Sequence, residues 1–300
     1  MSNAAEVEVD KNNVCANCGV AEVDDIKLMD CDGCDLVKCC SDKCKQDHRE
    51  KHEEGCKKRR KELHDNKLFT QPERSHLEEC PLCFLPMQLD PTKRSFYSCC
   101  SSYICDGCDY SNDMSNGGDR CPFCREPAPK DDKEHEKRIV KRVKANDPAA
   151  MCYLGTKRYH EGDHDKAFEY WTKAAELEDM DAHYLLSVVY YKGEGVAKDE
   201  EKEVYHWEKA AMGGHPIARH NLAVTEERND NIDRAVKHFI IAANLGYEKS
   251  MKELWRHYSD GNIAKGELET TLRTHKAAID AMKSPQREAV EAWRERQRGA

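Results

Sequence analysis

The residues of this chain best suited to chemistry are its cysteines, and they arrive in pairs. Between residues 79 and 125 the sequence reads ECPLC, then CC, then CDGC, then CPFCR, giving Cys80/Cys83, Cys99/Cys100, Cys105/Cys108 and Cys121/Cys124. Thiolates at C-x2-C spacing bring two soft donors within one turn, and eight of them are the ligand inventory of two tetrahedral zinc ions. A second set precedes it: Cys15-x2-Cys18, Cys31-x2-Cys34, Cys40-x3-Cys44 and His52-x3-Cys56, again four pairs and again enough for two ions. Sixteen ligands at four per ion predict about four zinc ions per chain. Both sets look ligand-saturated, which argues against the open metal position that hydrolytic zinc chemistry needs.

Modules of ~45 residues bury too little apolar surface to offset their chain entropy. Structural zinc, at ~10–16 kcal/mol per ion, supplies the difference. Of the seventeen cysteines, only Cys152 lies beyond position 124. The chain therefore has a metal-dependent front and a conventionally packed back. The N-terminus MSNAAEVEVDKNN has neither a basic nor an apolar signal region, so reduced thiolates in the cytoplasm or nucleus are expected rather than disulfides.

The order C-x2-C, C-x2-C, C-x3-C, H-x3-C over residues 15–56 resembles the MYND zinc finger. The resemblance implies interleaved sites, with Cys15, Cys18, Cys40 and Cys44 on one ion and Cys31, Cys34, His52 and Cys56 on the other; spacing alone leaves a sequential pairing open. Cys39 stands where the family usually has an aromatic residue and reads as a spare thiol. Arg49 stands where the family typically carries the tryptophan of a peptide pocket, a departure at that pocket.

The pair order of residues 80–125 resembles a RING domain. That resemblance puts Cys80, Cys83, Cys105 and Cys108 on the first ion, and Cys99, Cys100, Cys121 and Cys124 on the second. The histidine usual at the fourth ligand slot would fall on Ser102, and the adjacent Cys99–Cys100 pair offers a substitute. Neighbours on an extended strand point to opposite sides, so both reach one ion only through a local turn; Cys100 alone, completed by another group, is the alternative. RINGs that promote ubiquitin transfer act by positioning a charged conjugating enzyme. The resemblance gives that contact to Leu82, Pro122 and Phe123, and makes Arg125 the residue whose fork of donors bridges the conjugating enzyme and ubiquitin. The helix after Cys108 (DYSNDMSNGGDR) is polar, with Asn112 near where active RINGs present a large apolar side chain; Tyr110 is a possible substitute.

The elements that carry these residues follow from pattern. GCKKRRKELHDNKLF reads as a helix leaving the first module, with KKRRK on a solvated face or serving as a nuclear-import signal, and with Leu63, Leu68 and Phe69 packing on a zinc module. Gln71-Pro72 ends it. EPAPKDDKEHEKR is a hinge into a helix capped by Asp131 or Asp132, with Ile139, Val140 and Val143 as its apolar stripe. From Asp147 the chain repeats. AMCYLG at Ala150, AHYLLS at Ala182, ARHNLA at Ala218 and SMKELW at Ser250 recur at 32, 36 and 32 residues, in step with TKAAELE, EKAAMGG and IIAANLGY. Helix, turn, helix at a period of ~30–40 residues is an α-solenoid. Leu154, Leu186, Leu222 and Leu254 are its core, and Cys152 reads as a buried small hydrophobe. The motif A-x3-LG, Y-x2-G-x-GV-x2-D, W-x-KAA-x-G resembles Sel1-like repeats, which implies binding of proteins or peptides.

The fold class is thus mainly α, with two small zinc-stabilised modules, the second a RING-like cross-brace, followed by an α-solenoid of helical hairpins. The organisation reads as a disordered 1–14, a MYND-like finger at 15–56, a helical linker at 57–79 and a RING-like finger at 80–125. A linker and docking helix at 126–146, repeats at 147–283 and a charged tail at 284–300 complete it. The tail reads as a frayed helix with Trp293 as its only anchor. A net charge of −9 and few exposed aromatics disfavour nucleic acid, and no apolar run approaches the ~20 residues of a membrane span. No P-loop, dinucleotide motif, nucleophile elbow or SET-like stretch appears. The expected function is RING-type ubiquitin ligation, with the MYND and repeat regions binding protein substrate. The alternative is a non-catalytic zinc-dependent adaptor.

Overall fold

The computed structural model describes residues 15–18, 20, 22, 27–31, 37–115 and 118–298, apart from the side chains of 49–51. Residues 1–14, Cys34 and the Arg49 side chain, all named above, lie outside the described residues. The chain divides into two compact units after Thr70.

In the first unit, β1 (Met29–Asp30) pairs antiparallel with β2 (Lys38–Cys39). The helix α1 (Asp42–Leu68) follows, with Ser41 as N-cap accepting from the Cys44 N–H. This one helix carries Cys44, His52 and Cys56 and continues through the linker without a break. His52 and Cys56 are one turn apart and so share a face. The KKRRK residues form a mostly exposed stretch of it, as expected of a solvated face.

The second unit opens on a cysteine-bearing hairpin. β3 (Arg94–Tyr97) pairs antiparallel with β4 (Ser102–Cys105), with Phe96 opposite Tyr103, and α2 (Asp106–Met114) follows directly. Leu82, Tyr97, Tyr103 and Phe123 pack around Cys80, Met87, Ile104 and Cys105. This core is small, with four buried residues. α3 (Asp132–Val143) is capped by Asp131, which accepts from the Glu134 N–H. Its Ile139 is fully buried against Ala150 and Leu154, with Val140 and Val143 beside it.

Four helical hairpins come next: α4 (Pro148–His160) with α5 (His164–Glu176), α6 (Met180–Lys192) with α7 (Glu200–Met212), α8 (Pro216–Arg228) with α9 (Ile232–Asn244), and α10 (Glu248–Ser259) with α11 (Lys265–Ala281). The repeat register is a burial register. Ala150, Ala182, Ala218 and Ser250 are all at 0% exposure, and Leu154, Leu186, Leu222 and Leu254 at 4% or less. Small residues at the crossings let the helix axes approach, and Gly155 shows how closely: a Cβ there would lie 2.7 Å from the Trp171 indole. Cys152 is buried, as a small hydrophobe, and its carbonyl accepts from Trp171 Nε1 at 3.3 Å.

The last helix departs from expectation. α12 (Pro285–Arg298) is not a frayed tail: it packs along α2, with Pro285 opening it rather than merely closing α11. Trp293 meets Tyr110 at 5.9 Å between ring centroids. Arg294 pairs with Asp106 and Lys93 with Glu291. Polar composition hid this helix because its anchors are charged groups with partners about 200 residues away.

Candidate metal centres and the repeat surface

The hairpin and the turns flanking it gather the eight cysteines of 80–125 into two quartets. Cys80, Cys83, Cys105 and Cys108 have sulfur atoms within 4.8 Å of one another, and so do Cys99, Cys100, Cys121 and Cys124. The sharing is interleaved: first and third pairs meet, then second and fourth. The first and last CxxC, Cys80/Cys83 and Cys121/Cys124, are tight knuckles, whereas Cys108 stands on α2. The Phe84 N–H donates to the Cys80 carbonyl and the Cys80 N–H to Leu85; the Arg125 and Cys121 N–H groups repeat this with Cys121 and Glu126. Phe84 and Arg125, each following a knuckle, take positive φ of 57° and 61°. These closures point successive sulfurs inward, and the Cys105 N–H donates to Cys80 Sγ at 3.4 Å. A hydrogen bond from Cys105 holds the Cys80 thiol down to about 4 against its burial.

The local turn that Cys99 and Cys100 require is present. The Cys100 and Ser101 N–H groups both donate to the Tyr97 carbonyl, and Ser101 has φ of 56°. Cys99 Sγ then lies 3.9 Å from Cys100 Sγ, which is 3.6 Å from Cys121 Sγ. Ser102 starts β4 and is outside the quartet.

In the first unit Cys15, Cys18, Cys40 and Cys44 form a third quartet, with Cys18 and Cys40 sulfurs 3.5 Å apart. Cys31, His52 and Cys56 converge as a trio. The fourth expected ligand, Cys34, is outside the described residues. Cys39, on β2, is buried and its thiol is pushed up by burial; it belongs to none of the groups among the described residues. Four groups of three or four soft donors fit zinc by number, type and proximity.

A fifth group was not anticipated. His76, Asp181 and His215 approach one another within 4.8 Å, beside a cavity of about 760 Å³ that Arg94, Phe96, Tyr103 and Tyr153 also line. Hydrogen bonding argues against a metal here. His215 caps α8, its Nδ1 accepting from the Ala218 N–H at 3.2 Å. The ring proton is thereby left on Nε2, facing Asp181 Oδ1 at 3.4 Å. His76 Nε2 lies 3.0 Å from the same oxygen. A cation on His215 Nε2 would force a proton onto Nδ1, against a backbone N–H. Burial alone would push the Asp181 carboxyl up; the bonds from His215 and His76 hold it well below the usual range. Burial draws the His215 imidazole down to about 4. The trio is therefore an ionised carboxylate held by the neutral His215 ring and by His76. With the His76 N–H donating to the Gly214 carbonyl, it fastens residues 71–79 to the α7–α8 turn.

Of the expected partner-contact residues, Leu82 and Phe123 are half-buried against the hairpin core, Pro122 is half-buried and Arg125 exposed. The Arg125 carbonyl accepts from Arg120 Nη1 at 3.1 Å. Phe84, two residues after Leu82 and absent from the expected set, is 71% exposed; its place after a knuckle, like that of Arg125, was the available signal. Tyr110 cannot substitute at Asn112, because it faces α12 while Asn112, two residues on, donates to the Arg120 carbonyl on the other side of α2.

Among the described residues no helix is long and apolar enough to cross a membrane. The family model for the Sel1 repeat matches residues 148–179, 181–215 and 226–247. No MYND or RING family model matches the cysteine-rich region. The Helicobacter pylori protein HcpC, which carries a beta-lactamase designation, is 39% identical over 56 residues, covering 19% of this chain and 19% of its own. A Sel1 repeat protein of Oxalobacter formigenes is similar in crystal structure at TM-score 0.46 and 23% identity, covering 58% of this chain and 73% of its own. The Escherichia coli protective antigen c5321, of SLR fold, scores 0.41 at 21% identity, covering 63% and 39%. The back of this chain is a Sel1-repeat solenoid, a fold suited to protein–protein interaction.

Proposed function

We propose that the chain is a zinc-binding RING-type ubiquitin ligase of a reducing compartment, cytoplasm or nucleus, whose MYND-like and Sel1 regions bind the protein to be modified. The observation that carries this reading is the interleaved pair of cysteine quartets around the β3–β4 hairpin. In this reading Cys80, Cys83, Cys105 and Cys108 hold one zinc, and Cys99, Cys100, Cys121 and Cys124 the second. Cys15, Cys18, Cys40 and Cys44 hold a third, and Cys31, Cys34, His52 and Cys56 a fourth. Zinc supplies fixed geometry and folding free energy, not reaction chemistry. Leu82, Pro122 and Phe123 form the apolar seat for the ubiquitin-conjugating enzyme. Arg125, exposed at the rim, donates to that enzyme and to ubiquitin together, limiting the orientations of the thioester.

The test is autoubiquitination with a panel of conjugating enzymes. Wild type forms conjugates with at least one of them, Arg125→Ala loses most of that activity and Cys121→Ser loses all. No conjugates from zinc-loaded wild type across the panel overturn the ligase reading. Asn112 favours a second reading, an adaptor that binds proteins without promoting transfer, because it leaves the expected apolar contact of α2 polar. That reading predicts an inactive but zinc-replete protein that still captures partners through its repeats.

A further inference from the structure

Arg287 is a buried cation without an anionic partner of the usual kind. It is 4% exposed, and among the described residues no carboxylate lies within ion-pair distance of it. Its guanidinium donates to the Met282 carbonyl at 2.6 Å, to Pro86 at 2.8 Å and to Leu85 at 3.4 Å. All three acceptors are neutral. An uncompensated charge is costly to bury, so a paired or anionic environment is expected around it. The groups of opposite character within reach are sulfurs of the quartet Cys80, Cys83, Cys105 and Cys108: Cys83 Sγ lies 3.7 Å from Arg287 Nη2, and the Cys105 thiol meets the same guanidinium.

The charges complement each other. A dication held by four thiolates carries two net negative charges. Such an ion is retained better when outer groups donate to its sulfurs and balance that excess. The surroundings are built to bring the guanidinium in. Gly107, on α2, has no side chain where α12 crosses; a Cβ would sit 2.7 Å from the Arg287 nitrogen. Ser284 Oγ accepts from the Arg287 N–H at 3.2 Å, fixing the first turn of α12. The Arg294–Asp106 and Lys93–Glu291 pairs and the Trp293–Tyr110 contact hold the rest of the helix along the module.

We propose that Arg287 is a positioning residue for the first metal of the cysteine module, balancing the charge of the Cys80/Cys83/Cys105/Cys108 site from the far end of the chain. Metal retention there depends on the guanidinium that α12 delivers. The proposal rests on the zinc reading above, and the experiment separates the two.

Full-length, zinc-loaded protein is challenged with a chromophoric chelator, and the number of ions released and the rate of each phase are recorded. Wild type, Arg287→Met, Arg287→Lys and Trp293→Ala are compared. About one of the four ions is expected to leave Arg287→Met ten- to a hundred-fold faster, the range for loss of an outer group at a metal site. Arg287→Lys, which keeps the charge, stays within about threefold of wild type, and so does Trp293→Ala, which loosens the helix but keeps the guanidinium. Unchanged release from Arg287→Met overturns the proposal. So does equal acceleration in Arg287→Met and Arg287→Lys, because packing rather than charge would then explain it. Should Arg287→Met not fold, Arg287→Gln takes its place under the same criteria. Wild type with two or fewer ions before any challenge instead sinks the zinc reading itself.

Discussion

Cys99 and Cys100 are adjacent in sequence, yet the turn at Ser101 brings both sulfurs into one quartet. If both bind, Cys99→Ser lowers bound zinc from about four to about three ions per chain. Cys39→Ser, at a thiol outside every group, leaves the count unchanged. Elemental analysis of the purified variants decides, and a full complement in Cys99→Ser would assign the position to Cys100 alone. In the repeats the decisive residues are apolar. Leu154 is fully buried between α3 and the first hairpin, so Leu154→Ala removes transfer free energy and leaves a cavity. The expected cost is about 3 kcal/mol, read as a lowered denaturation midpoint with an unchanged slope. A loss under 1 kcal/mol would mean that the site collapses freely around the smaller side chain.

Elements are held at their ends as much as along their faces. Asp147 caps α4 through the Ala150 N–H at 3.2 Å and pairs with Arg142 of α3 at 2.6 Å. The same carboxylate thus starts the solenoid and fixes the docking helix. Asp147→Ala should cost about 1–2 kcal/mol, most of it the cap, whereas Asp147→Asn keeps the cap and loses only the ion pair. Thermal unfolding of the two variants measures the difference, and equal losses would argue that the pair dominates. Asp147, Asp179, His215 and Tyr247 occupy the same place in successive repeats. Only the first three cap through a side chain, so the capping signal fades toward the last hairpin.

For the whole molecule, two perturbations should separate front from back. On the zinc reading proposed above, chelation unfolds the cysteine modules, so their near-ultraviolet signal is lost while the helical signal of α4–α11 persists. Simultaneous loss of both would contradict independent packing of the repeats. Acid acts on the repeats. Burial draws the His206 and His215 imidazoles down to about 4 and His238 to about 3. Their folded values lie below the unfolded ~6.5, so the unfolded chain takes up protons first. Their contribution is complete above pH 6.5 and falls by about 1.4 kcal/mol per group and pH unit toward pH 4. Burial also pushes Asp179 up to about 6, and it works in the opposite sense between pH 6 and 4. The net expectation is a steep fall in denaturation midpoint from pH 6.5 to 4.5. A flat profile would contradict neutral burial of these rings.

Repeats and metal pairs were legible because both are local in sequence. A period of 32–36 residues states which alanines and leucines face inward, and the structure buries those residues in the same register. Paired donors state how many ions can be held, since one turn of chain brings each pair together. Which pairs lie together in space is a different question. In the 80–125 module the antiparallel β3–β4 pairing and the adjacent knuckles place Cys105 beside Cys80. The path of α12 is likewise tertiary. Nothing near Arg287 in sequence points to Cys83, 204 residues earlier; the contact exists because the solenoid returns the chain to the module where it began. Asp181 illustrates the same limit. Its repeat position predicts a helix start, but its ionised state depends on His76 from before the hairpin and His215 from the next repeat. Short-range pattern sets periodicity and ligand number. Charge compensation between distant segments is decided only when the chain has folded, because it depends on distances that no local spacing encodes.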